Sequence, residues 1–223
     1  MSSATPTNAS KEEPPQASWR LWLPRVLVES VLVVFSVLLA LAVDEWRDDR
    51  ALQRQVREAR TAFAEEIRGN RDLLSSDRYL PHHKRLWEIY RALGAAVDAN
   101  DSERLAELQA ARAKVFDSGV WPAPLRDAVW RSFSQGDLLR HMNPREVFAL
   151  ADAYREQAAV DAWHNRMFTI WSEPRSDKDS PAYVKSEIHT TRSYLADVVA
   201  GEERLLKRYA EALALLEAPE RKR

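Results

Sequence analysis

The residues best suited to chemistry near neutral pH are the five histidines. Imidazole both carries protons and ligates metals in that range. His82 and His83 follow Pro81, His164 lies one helical turn after Asp161, and His189 stands two residues after Glu187. Three or four such ligands converging from different helices would make the carboxylate–imidazole centre of a helical bundle. Those bundles repeat Glu-x-x-His, and neither that pair nor H-E-x-x-H occurs here. The spacing therefore predicts solvated or singly hydrogen-bonded histidines, with no metal, no cofactor and no catalytic residue.

Other chemistries fare no better. There is no cysteine, which excludes disulfides, zinc–thiolate sites and thiol catalysis. No G-x-S-x-G elbow occurs, and five glycines are too few for a phosphate-cradling loop. The paired carboxylates Asp48-Asp49 and Glu65-Glu66 are expected on solvated helix faces, where their acidity is ordinary. Trp121, Trp130, Trp163 and Trp171 are expected to pack a core rather than line a ligand pocket. A net charge of −1 does not suggest a nucleic-acid partner.

The elements that must position these residues are helices. Alanine, leucine, arginine and glutamate dominate, no run alternates with period two, and the expected fold class is all-α. Residues 1–18 are polar and proline-bearing, an expected disordered tail. The run Leu21–Val43, LWLPRVLVESVLVVFSVLLALAV, is expected to be a transmembrane anchor over residues 19–43. About 20 apolar residues at 1.5 Å rise cross a hydrocarbon core about 30 Å thick. Its uninterrupted apolar part, Ser30 to Val43, would also suit a buried helix or a signal peptide, and Ala40-Leu41-Ala42 looks like a cleavage site. An acidic segment before it and a helical pattern running straight on favour a retained anchor. Trp19, Trp22 and Arg25 at one end and Trp46 at the other are placed as interfacial anchors.

The helix is expected to continue to about Leu74 as one rod of roughly 70 Å, with Leu52, Val56, Ala59, Phe63 and Ile67 on a single stripe. About five more helices follow over residues 44–218, ahead of a basic tail at 219–223. Pro81 opens one and Asn100-Asp101-Ser102 separates it from the next. Gly136 ends a short helix, and Asn143-Pro144 starts another running to about Ser172. EPRSDKDSP is an expected loop, and Ser180-Pro181 opens the last helix.

Two stretches carry a resemblance. One is LLALAVDEWRDDR, an apolar span running into an acidic-tryptophan junction. The other is AVWRSFSQGDLLRHMNPREVFALADAYREQ, with a tryptophan, an Asn-Pro start and a Tyr-x-x-Gln ending. Together they resemble a broad family of uncharacterised bacterial single-pass membrane proteins, a domain of unknown function. The resemblance implies an anchored helical domain and carries no activity over to any residue. The ratio of 26 arginines to 7 lysines, 33 together, also fits a GC-rich bacterial genome.

Within the span, Glu29, Ser36 and Ala40 fall within about 40° of one another at 100° per residue. An ionisable residue there is costly, and small residues one turn apart let a second helix approach. The stripe of Leu52 to Phe63 centres roughly 150° away. Glu29, Ser36 and Ala40 are thus an expected membrane helix interface, for a second copy or another membrane protein. The chain is expected to be a non-enzymatic, membrane-anchored interaction or scaffold protein, with a partner-coupled ligand sensor as the alternative. Lysine and arginine flanks set topology, but Arg20 and Arg25 on one side face Arg47, Arg50 and Arg54 on the other. The expected location is the bacterial inner membrane with a periplasmic domain.

Overall fold

A computed structural model describes residues 19–116, 122–172 and 181–219 of the chain. Every regular element among them is helical: α1 (Trp19–Leu74), α2 (Leu80–Ala99), α3 (Ser102–Phe116), α4 (Ala128–Ser134), α5 (Pro144–Ser172) and α6 (Pro181–Leu216), with a 3₁₀ turn at Leu138–His141. The expected tail at 1–18, Trp121, most of the EPRSDKDSP loop and residues 220–223 lie outside the described residues.

The chain divides into two units, one ending at Gln53 and one beginning at Arg54. The first holds the apolar half of α1. No proline follows Pro24 and no glycine precedes Gly69 in this helix, so nothing breaks the hydrogen-bond ladder. Its large side chains are not packed: Leu27 is 62 % exposed, Phe35 62 % and Leu41 60 %. This is one helix long and apolar enough to cross a membrane, with a mean hydropathy of 2.3 over its best window. Ser36 Oγ donates to Leu32 O at 2.8 Å, so its hydroxyl is satisfied within its own helix. The Arg50 guanidinium lies 4.2 Å from the centre of the Trp46 ring, a cation–π contact. The side chains of Trp19, Trp22 and Arg25 fall outside the described residues.

The second unit contains two apolar cores. Ala59, Phe63, Ile67 and Leu74 of α1 meet Leu150, Ala153 and Tyr154 of α5 and Leu205, Tyr209 and Ala212 of α6 in one. Leu86, Tyr90 and Leu93 of α2, Leu108 of α3, and Ile188, Leu195 and Val198 of α6 form the other. The expected α1 stripe is thus a buried face, from Ala59 on. Pairings of Gln157 with Tyr209 and His164 with Glu202 show α5 and α6 running antiparallel. Pairings of Asp98 with Lys185 and Lys84 with Glu203 show the same for α2 and α6.

Local chemistry sets the ends. Asn100 closes α2 at φ 54°, a left-handed residue whose N–H reaches Ala96 O and Val97 O. Asp101 Oδ1 then accepts from Arg104 N to start α3. Asn143 Oδ1 accepts from Arg145 N at 3.0 Å, with Pro144 as the first residue of α5. The sequence reading did not separate the 3₁₀ turn, which Gly136 and Asp137 lead into after α4.

Candidate functional site

His83 comes from the first turn of α2, where its N–H bonds Tyr79 O at 2.8 Å. His164 comes from α5 and Glu202 from α6. The three side chains meet in the interior, His83 and Glu202 fully buried and His164 2 % exposed. Glu202 Oε1 lies 2.8 Å from His83 Nδ1 and 3.1 Å from His164 Nε2. The ring centres of His83 and His164 are 5.4 Å apart. Burial pushes the Glu202 carboxyl up, but hydrogen bonds from His164 and His83, and their charges, outweigh it and hold the group below its usual range.

The cluster sits at the seam between the two cores. On α2 it follows Tyr79 of the first core and precedes Leu86 of the second; on α6 it lies between Val198 and Leu205. Trp163, beside His164, packs against both cores. Gly201, beside Glu202, has a structural reason. A Cβ there would overlap Trp163 Cζ3 and stand 2.7 Å from Cε3, so only glycine lets α6 approach α5 at this level.

Of the two expected states, solvated or singly hydrogen-bonded, His83 and His164 take the second: each is buried with one bond to Glu202. His82 and His83 are 5 % and 0 % exposed, because Leu80 and Leu86 draw that side of α2 into the core. Asp161 is half-buried one turn before His164; burial raises its carboxyl, His164 opposes this, and Asp127 adds to it. Glu187 and His189 belong elsewhere: Tyr90 Oη donates to Glu187 at 3.3 Å, and His189 lies 3.4 Å from Asp98.

A second polar cluster overturns the expectation that Glu66 is solvated. It is 8 % exposed, accepting from Tyr154 Oη at 2.6 Å and Val129 N at 3.1 Å. Asn70, one turn on, accepts from Arg126 N at 2.8 Å and donates to Arg126 O at 2.7 Å. Gln157 donates to the same carbonyl at 3.1 Å and accepts from Tyr209 Oη at 2.7 Å. The Trp130 and Tyr154 rings stack at 5.1 Å. Tyr154 and Gln157, buried, and Trp130, partly buried, all part of the sequence resemblance, therefore form one arrangement against α1. It pins the extended segment before α4 and has the character of a structural tie.

A groove of about 420 Å³ opens between α2 and α6, lined by Lys84, Trp87, Glu88, Val199 and Glu203 among others. Lys84 and Glu203 pair across it at 2.6 Å, each one residue beyond a member of the buried cluster.

Compared with protein-family models, curated proteins and solved structures, the chain matches none.

Proposed function

We propose that this chain is a non-enzymatic, membrane-anchored helical interaction protein whose first partner is the lipid bilayer. The observation that carries this is the unpacked stretch from Leu27 to Val43. Its large apolar side chains, from Val43 at 44 % to Val33 at 64 % exposed, have no place in water. A non-catalytic role is supported by the burial of the His83–Glu202–His164 cluster, which no substrate can reach without opening the bundle. Glu29, Ser36 and Ala40 are the proposed contact with a second copy or another membrane protein. The proposed location is the bacterial inner membrane, with the helical domain in the periplasm. The full chain should stay in the membrane pellet after carbonate extraction, and deletion of residues 1–43 should release a folded domain. Extraction of the full chain by carbonate would overturn the reading.

A ligand-sensing role is the second reading, favoured by the groove between α2 and α6. Its apolar floor (Trp87, Val199) and charged rim (Lys84, Glu88, Glu203) would suit a small amphipathic ligand. Trp87→Ala should abolish any such binding while leaving membrane attachment intact.

A further inference from the structure

We propose that His83, His164 and Glu202 form a buried binding site for one first-row divalent cation, with zinc the best fit, and that the ion clamps α2, α5 and α6 together. The inference rests on the donor set and its surroundings. Two imidazole nitrogens and a carboxylate oxygen from three helices lie within 4.8 Å of one another, all in the interior. Imidazole selects zinc and its neighbours over magnesium and calcium, which require oxygen ligands.

Hydrogen bonding alone leaves the cluster incomplete. If the rings donate from His83 Nδ1 and His164 Nε2, Glu202 Oε1 is satisfied. Glu202 Oε2, His83 Nε2 and His164 Nδ1 are then all buried with no hydrogen-bond partner. Groups stranded in this way cost about 1–3 kcal/mol each. A cation would relieve one of the three, Oε2, as the second arm of a bidentate carboxylate; the two outward nitrogens keep no partner. The two oxygens of one carboxylate share a single vertex, so with His83 Nδ1 and His164 Nε2 the protein supplies three ligands, the two-histidine, one-glutamate set that zinc completes with a water. Donors on tetrahedral zinc, at bonds of about 2.0–2.1 Å, stand about 3.3 Å apart. The N–O spacings of 2.8 and 3.1 Å need to open by only a few tenths of an ångström. To ligate, each ring must be neutral with its proton on the outward nitrogen, so a ring that starts as imidazolium releases one proton on binding.

The same geometry sets the strength. Neither outward nitrogen has an acceptor, and such partners are worth about 10–100-fold in affinity. Binding should accordingly be weaker than in a fully supported zinc centre. With all three ligands buried beyond the reach of a substrate, the ion is structural or regulatory.

The test uses the full chain in detergent, stripped with a chelator, with Zn²⁺ and Co²⁺ as probes. Calorimetry should find one Zn²⁺ per chain, and Co²⁺ should give the intense visible d–d bands of a four-coordinate N/O site. Zn²⁺ should also raise the melting temperature. Glu202→Gln, of nearly the same shape, should lose the visible bands and at least ten-fold in Zn²⁺ affinity. If that variant does not fold, His83→Gln serves, with circular dichroism as the check. Only the pale spectrum of six-coordinate Co²⁺ in the wild-type chain would overturn the proposal. So would Zn²⁺ binding unchanged in a folded variant, which would mean surface sites.

Discussion

Trp163 rests its indole on the backbone of Gly201, filling the volume that a side chain at 201 would need. This contact brings α5 and α6 close enough for His164 and Glu202 to reach each other. An alanine in place of an unconstrained helical glycine stabilises by about 0.5–1 kcal/mol. At 201 the sign should reverse: Gly201→Ala should cost about 1–3 kcal/mol through overpacking. At Gly69, where an added Cβ meets nothing within 4 Å, alanine should be stabilising. Denaturant melts of the two variants check the pair, and a gain in stability from Gly201→Ala would contradict the contact.

The depressed Glu202 carboxyl fixes a direction for acid sensitivity. Its folded pKa lies below the unfolded one, so its stabilisation is present above the ordinary carboxylate pKa. That stabilisation is lost as pH falls through the folded value. Chelator-treated protein should therefore weaken as pH falls through and below the ordinary carboxylate range, and Glu202→Gln should flatten that slope. Asp161, whose carboxyl is raised, works the other way, so Asp161→Asn should steepen it. Chemical denaturation at several pH values measures both.

The tie around Glu66 should be sensitive to single atoms. Tyr154→Phe removes only the hydroxyl that donates to Glu66 at 2.6 Å and keeps the ring against Trp130. A buried hydrogen bond to a carboxylate is worth about 1.5–3 kcal/mol, and the loss should fall in that range. Asn70→Ala removes the acceptor of Arg126 N and leaves Arg126 O with Gln157 alone. Trypsin should then cut after Arg126 faster than in the wild-type domain, whereas equal rates would show that the segment is held by other contacts.

Arg60 and Glu146 pair at 3.2 Å with side chains 11 % and 9 % exposed. Arg60→Met removes this buried ion pair together with the guanidinium's bonds to Leu216 O and Ala218 O and should cost about 3–5 kcal/mol. Changing both residues together, to a methionine–leucine pair, should recover part of that loss. The melting temperatures of single and double variants decide it.

On the stripe of α1 proposed to face a second helix, Ser36→Ile and Ala40→Ile block close approach, and Glu29→Leu removes the charge. All three should weaken cross-linking to a second copy or a partner. Unchanged cross-linking in every variant would leave the helix a passive tether, with any partner contact on the soluble domain.

Much of the helical frame was legible because its signals are local. Pro81, the Asn100-Asp101 break, Asn143-Pro144 and the Ala59–Phe63–Ile67 stripe each act within a turn or two, and the structure uses them all. The candidate site was not legible. His83, His164 and Glu202 are 81 and 38 residues apart in sequence and share no spacing rule. The helix pairings that unite them depend on long-range packing. One hint was present: Gly201, a helix-weakening residue inside a strong helical pattern, beside Glu202. Glu66 escaped for a related reason. It lies next to Glu65 in a charged run, and only the face of α1 turned toward Tyr154 distinguishes the two.

Arg60 also ties the two ends of the domain together. Besides Glu146, its guanidinium donates to Leu216 O at 2.9 Å and Ala218 O at 3.1 Å, so the last turn of α6 is clasped to the start of the domain. A pull applied between residues 54 and 219 would fall on this clasp first and peel α6 from α1 there. The histidine–glutamate cluster lies outside that load path and would hold until the clasp had failed.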